Sequence, residues 1–131
     1  MSLDICIMAP DRVFLNTKVE EIILPTTTGQ IGVLSNHSPL LTSLDIGIML
    51  VRETTNWESI VLMGGFALIK DNKVTILVTD VENASSINRT EAENLFTTAR
   101  VAVEKAVTEK EKIETNIVLR RAKVRFLSTQ M

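Results

Sequence analysis

The sequence predicts an all-β sandwich or barrel followed by a C-terminal α-helical hairpin. Three observations predict it. The hydrophobic period is two over the first part of the chain and becomes helical after residue 86. Turn residues recur at short intervals among segments rich in Ile, Val and Leu. Two capping-box patterns, Asn88 with Glu91 and Thr108 with Glu111, mark two helix starts. The chain so divides into a β domain over residues 1–86 and a two-helix domain over 87–131.

In the stretch LDICIMA (3–9), Leu3, Ile5 and Ile7 alternate with Asp4, Cys6 and Met8, the pattern of a half-buried strand. EEIILP (20–25) reads as a short strand closed by Pro25. Further strands are expected at 46–53, 57–63, 66–70 and 73–79. Thr54-Thr55-Asn56 turns the first pair of these, and Asp71-Asn72 tolerates the left-handed backbone of a two-residue hairpin. Gly64-Gly65 interrupts an apolar run and reads as a bulge or a sandwich corner.

Ala92, Leu95, Phe96, Ala99, Ala102, Val103 and Ala106 then fall on one helical face. Helices are expected over 89–106 and 109–127, with a single continuous helix as the competing reading. The second has two apolar sides: Ile113, Ile117, Val124 and Leu127 on one, and Val118, Leu119, Ala122 and Phe126 nearly opposite. Two faces require two surfaces to pack on, either within the chain or on a partner.

Composition excludes several function classes. One cysteine, Cys6, permits no internal disulfide, and no basic neighbour activates it. The opening MSLDICIM lacks the basic run of a signal or transit segment. The longest apolar run, IVLMGGFALI (60–69), falls short of the about 20 residues that span a bilayer, so contact with a membrane is expected only through a partner. Net charge is −2, but residues 1–86 carry five Lys/Arg against ten Asp/Glu, and residues 87–131 carry nine against six. A basic tail this short of aromatics is a poor nucleic-acid footprint.

No constellation carries chemistry. His37, the one histidine, has Ser35 and Ser38 beside it and Asp45 further on, but sequence neighbours on a turn do not make a triad. One His and one Cys give no metal-ligand spacing. Gly29-Gln30-Ile31-Gly32 lacks the Lys-Ser/Thr and the following helix of a phosphate loop, and turn or bulge geometry accounts for its glycines. No catalytic residue, metal or cofactor is expected. The run RRAKVR (120–125) is read either as a solvated helix flank or as a surface that docks on an acidic protein.

The blocks MAPDRVF (8–14), EEIILPTTTGQIGVLSNHSPLLTSLDIGIMLVR (20–52), LMGGFALIKDNKVTILV (62–78) and LRRAKVR (119–125) resemble the epsilon subunit of the rotary F-type ATP synthases. The resemblance runs over essentially the whole chain and is nearest the chloroplast and cyanobacterial branch. It implies a β-sandwich with a C-terminal helical hairpin, agreeing with the independent reading. It implies a non-catalytic central-stalk subunit that turns with gamma and the c-ring and couples proton flow to ATP synthesis. Partners would be gamma, the c-ring and the alpha/beta catalytic head. The place would be the thylakoid membrane, peripheral on the stromal side in a chloroplast, or the cyanobacterial counterpart.

On this resemblance Arg120, Arg121, Lys123 and Arg125 would meet an acidic lever of the beta subunits and restrain ATP hydrolysis. Gly29, Gln30, Ile31 and Gly32 would form a loop facing the ring and gamma, with His37 bordering that face. One departure matters. Some bacterial members bind ATP through a pattern like Ile-Asp-x-x-Arg-Ala, and here residues 87–92 read INRTEA, with Glu91 at the arginine position. Its charge opposes phosphate, so tight ATP binding is not expected. The alternative from another class is a small β-sandwich enzyme or ligand-binding module that uses His37.

Overall fold

A computed structural model describes residues 2–131. Eight strands come first: β1 (Leu3–Ala9), β2 (Arg12–Val19), β3 (Glu21–Thr26), β4 (Gly29–Leu34), β5 (Leu40–Arg52), β6 (Trp57–Lys70), β7 (Lys73–Val78) and β8 (Val81–Asn83). A single 3-10 turn (Ala84–Ser86) leads to helices α1 (Arg89–Lys105) and α2 (Glu109–Ser128). The β-sandwich and the helical hairpin are therefore as the sequence predicts.

Strand order is β2-β1-β7-β6-β5-β3-β4, with β8 also on β6. Among the described residues, only β1 and β7 pair in parallel. The long strands β5 and β6 pair from Leu40–Ile69 to Arg52–Trp57 and run through both layers of the sandwich. β6 pairs with β8 at Ile60, Val61 and Leu62, then with β7 from Gly65 onward. The change of neighbour falls at Gly64-Gly65, whose φ values of 85° and 153° suit glycine. These glycines make the expected corner; the β5 register continues across them without a bulge. The Thr79 hydroxyl donates to the Met63 carbonyl oxygen and secures the crossing.

The core follows from the alternation. Leu3, Ile5 and Ile7 are fully buried and share one core cluster with Ile22, Leu24, Met49, Leu62 and Ile76. Asp71 and Asn72 adopt φ of 52° and 60° between Lys70 and Lys73, the expected left-handed hairpin turn. Arg52 reaches Glu20 at 2.7 Å and Glu21 at 3.0 Å and joins β5 to the start of β3.

Several elements differ from expectation. β2 has no alternating apolar run and is held by its pairing with β1. Residues 57–70 form one strand where two are expected. Pro25 lies inside β3, not at its end: the β3–β5 register shifts between Ile23 and Thr26, where proline's missing N–H is not needed. Gly47 makes room for it, because a Cβ there would stand 2.6 Å from the Pro25 Cβ.

The helices begin where the caps predict. Asn88 Oδ1 accepts from the Glu91 amide at 3.0 Å, and Thr108 Oγ1 accepts from the Glu111 amide at 3.1 Å. Residues 106–108 separate two helices, which excludes the continuous one. The two opposed apolar faces of α2 do not both find cover. Val124 and Phe126 pack inward, whereas Ile113, Ile117, Val118 and Leu127 stay exposed. Among the described residues, no helix is long and apolar enough to cross a membrane.

Candidate interaction surfaces

The hairpin lies against the outer face of the sandwich. Val61 and Met63 of β6 form a small apolar seam with Ile87 and Ala92, and Ile46, Val124 and Phe126 pack against it. Phe96 and Phe126 join the two helices, with ring centroids 5.7 Å apart. Two ion pairs flank the seam. Arg120 Nη2 donates to Asp45 Oδ1 on β5. Arg125 donates to Glu82 on β8 twice, Nε to Oε2 at 2.7 Å and Nη2 to Oε1 at 3.0 Å. The hydrogen bonds to Glu82 raise the Arg125 pKa above its ordinary value, and partial burial opposes the shift. The guanidinium therefore stays charged.

The four basic residues of 120–125 thus have different surroundings. Arg120 and Arg125 are engaged within the chain. Arg121 borders a cleft of about 430 Å³ together with Arg12, Asp80, Glu82 and Arg125. Lys123 is exposed. A uniformly solvated flank is not what forms, because acids of the β domain take up part of the run.

The opposite region of the chain also departs from expectation. Gly29, Gln30, Ile31 and Gly32 are not a loop; they open β4, the edge strand, paired on one side to β3. The turn lies at Thr27-Thr28, where the Thr26 hydroxyl donates to the Gly29 carbonyl oxygen. Gly29 has φ of 125° at the strand entry, while Ile31 turns inward against the core. His37 follows the far end of β4, about 17 Å from Gly29 at 3.3–3.4 Å per residue. The GQIG stretch and His37 therefore occupy two ends of one edge strand.

His37 is fixed locally. Its amide donates to the Leu34 carbonyl at 3.3 Å, and its Nδ1 donates to the Ser38 carbonyl at 2.6 Å. The Asn36 amide donates to Asn72 Oδ1 at 2.5 Å, which pins this turn to the β6–β7 hairpin. Asp45, the acid a triad would require, pairs with Arg120 instead. No group of three metal-ligating side chains is found among the described residues.

One surface escapes the sequence reading. Phe66 and Leu77 are cross-strand partners and more than half exposed, at 57% and 51%. Met8 stands beside Leu77, and exposed Leu41 and Leu68 form the next rung. Together they make an apolar strip on the outside of the β1-β7-β6-β5 layer. The signal is present in the sequence. FALIK and KVTILV carry large apolar residues at both parities, so one parity must face outward.

Residues 2–84 match the family model for the ATP synthase delta/epsilon chain, beta-sandwich domain. The chain is 56% identical to the chloroplastic ATP synthase epsilon chain of Oltmannsiellopsis viridis over 126 residues, covering 96% of each. It is 48% identical to that of Chlamydomonas reinhardtii, covering 96% of this chain and 94% of the relative. Among solved structures it resembles a chain of the Euglena gracilis mitochondrial ATP synthase (OSCP/F1/c-ring, rotational state 1). The TM-score is 0.86 at 23% identity, covering 98% of this chain and 81% of that one. A chain in the central stalk and c-ring of the Tetrahymena thermophila mitochondrial ATP synthase gives 0.71 at 15% identity, covering 98% and 97%. At those identities the structural likeness speaks for the fold.

Proposed function

Because the chain belongs to the ATP synthase delta/epsilon family and its relatives are chloroplastic epsilon chains, we propose that it is the non-catalytic central-stalk subunit of a chloroplast ATP synthase. It rotates with gamma and the c-ring and so couples proton translocation to ATP synthesis. Its hairpin restrains ATP hydrolysis by meeting the catalytic head. It sits at the thylakoid membrane on the stromal side, attached through the complex. The observation that carries this reading is a division of surfaces. The sandwich leaves an apolar strip through Phe66 and Leu77 open, whereas its other face is taken by its own hairpin. A standing partner fits the first, and the hairpin covers the second.

The β4 edge and the His37 turn border the same sandwich and are proposed to face the ring or gamma. Arg121 and Lys123 are the basic residues most open to an acidic partner in this arrangement. Truncation after residue 87 tests the assignment. The sandwich should keep binding gamma, while inhibition of hydrolysis by a stripped catalytic head should be lost. Equal inhibition by the truncated and full-length chains would overturn the role given to the helices.

A further inference from the structure

The sandwich face under the hairpin extends further than the hairpin covers. Ile46, Val61 and Met63 of that face lie in the seam. Leu50 with Ser59, and Arg52 with Trp57, continue it as successive cross-strand pairs of β5 and β6. Near the end of α2 this face opens into a groove of about 740 Å³, bordered by Leu50, Trp57, Ile87 and Met131. That is a volume into which small ligands fit. Arg52 stands over the Trp57 ring at 5.7 Å, and the tryptophan remains 43% exposed.

Most polar atoms around the groove are already engaged. Asn83 Oδ1 accepts from the Ser85 amide and hydroxyl. The Ser128 and Thr129 hydroxyls donate to the carbonyl oxygens of Arg125 and Phe126. Arg89 and Ser59 also border the groove. Among the described residues, neither makes a side-chain hydrogen bond or ion pair. Arg89 is the first residue of α1, where the helix N-terminus adds positive potential. Glu58 borders the groove as well, but it is exposed and its opposing charge is screened by water.

We propose that this groove binds an amphipathic monoanion, a flat aromatic body bearing one carboxylate or sulfonate. The body lies on Leu50, Ile87 and Trp57, where aromatic and aliphatic surface is open. The head pairs with the Arg89 guanidinium, whose planar fork suits such an anion. One unpaired cation opposed by one acid favours a single negative charge over a polyphosphate. The groove is separate from the Phe66–Leu77 strip, and the site does not depend on the rotor assignment.

The test uses the full chain and the probe 1-anilinonaphthalene-8-sulfonate. Trp57 is the single tryptophan of the sequence, so its fluorescence reports from the groove itself. Titration should quench Trp57 saturably at one probe per chain, and amide resonances of Leu50, Ser59 and Ile87 should shift in NMR spectra. Arg89→Ala should weaken binding about tenfold or more, and Arg89→Lys should keep it within about threefold. Glu58→Gln should tighten it about twofold, and Lys105→Ala, at the other end of α1, should leave it within about twofold. The uncharged counterpart N-phenyl-1-naphthylamine should bind the unaltered chain about tenfold or more weakly, a comparison that needs no variant. Equal binding of the two probes, or unchanged affinity in Arg89→Ala, would overturn the proposal. So would resonance shifts centred on Phe66 and Leu77 in place of the groove.

Discussion

Gly65 lies against the backbone of Leu77, so closely that a Cβ on Gly65 would overlap the Leu77 carbonyl oxygen and stand 2.8 Å from the Val78 Cα. With φ at 153° the position also disfavours any L side chain. Gly65→Ala is therefore expected to destabilise by about 3 kcal/mol or more, and to lower Tm accordingly. Gly32→Ala is the control: no atom lies within 4 Å of a Cβ there, and it should stay within about 1 kcal/mol of the parent. Thermal unfolding of the two variants side by side checks the contrast.

Phe126 joins α2 to Phe96 and to the seam. Phe126→Ala should cost about 2–4 kcal/mol of hairpin docking, less than a fully buried aromatic because the ring is only partly covered. Ile76→Ala, at 0% exposure, should instead weaken the sandwich itself by about 2–5 kcal/mol. Native-state hydrogen exchange separates the two. The first variant should lose protection in the helices while the strands keep theirs.

Glu91 sits in the first turn of α1 and is one of the acidic charges felt by Arg125. Arg125 is moreover occupied by Glu82. An ATP phosphate would have to displace this pair while facing Glu91. Calorimetry on the isolated chain should give millimolar or weaker binding, and a micromolar dissociation constant would contradict this account.

The charged pairs respond to salt and not to ordinary pH. The Arg52 pKa is raised by hydrogen bonds to Glu21 and Glu20, and the Arg125 pKa by its bond to Glu82. A raised folded-state value gives stability that is complete below the unfolded pKa and lost as pH rises through the folded one. For arginine that window lies in strong alkali. These shifts therefore contribute no slope to stability between about pH 6 and 9. Salt up to about 1 M should weaken the more exposed Arg120–Asp45 pair first. Denaturant midpoints across pH and salt check both statements.

Phe66 is more than half exposed on the apolar strip and lies outside the buried core cluster. Phe66→Ser should change stability by about 0.5 kcal/mol or less and yet weaken binding of gamma by about tenfold or more. A binding titration with the gamma subunit measures it, and unchanged affinity would move the standing interface elsewhere on the sandwich.

The sequence by itself determined the two-part architecture. The period-two run of Leu3, Ile5 and Ile7, the Asp71-Asn72 turn and the caps at Asn88 and Thr108 act through neighbours in the chain, so they can be read locally. The His37 turn and the glycine corner at residues 64 and 65 were legible as turn chemistry for the same reason. β2 and β4 were not, because their strand character comes from pairing with β1 and β3 and not from their own alternation. Nor does local pattern reveal that the Gly29–Gly32 stretch is an edge strand. Only the tertiary structure decided that Phe66 and Leu77 face out, that half of α2's apolar surface goes uncovered, and that Arg120 and Arg125 find Asp45 and Glu82. These are contacts between residues up to 75 positions apart. Their existence depends on how the layers stack, a quantity that no local period encodes.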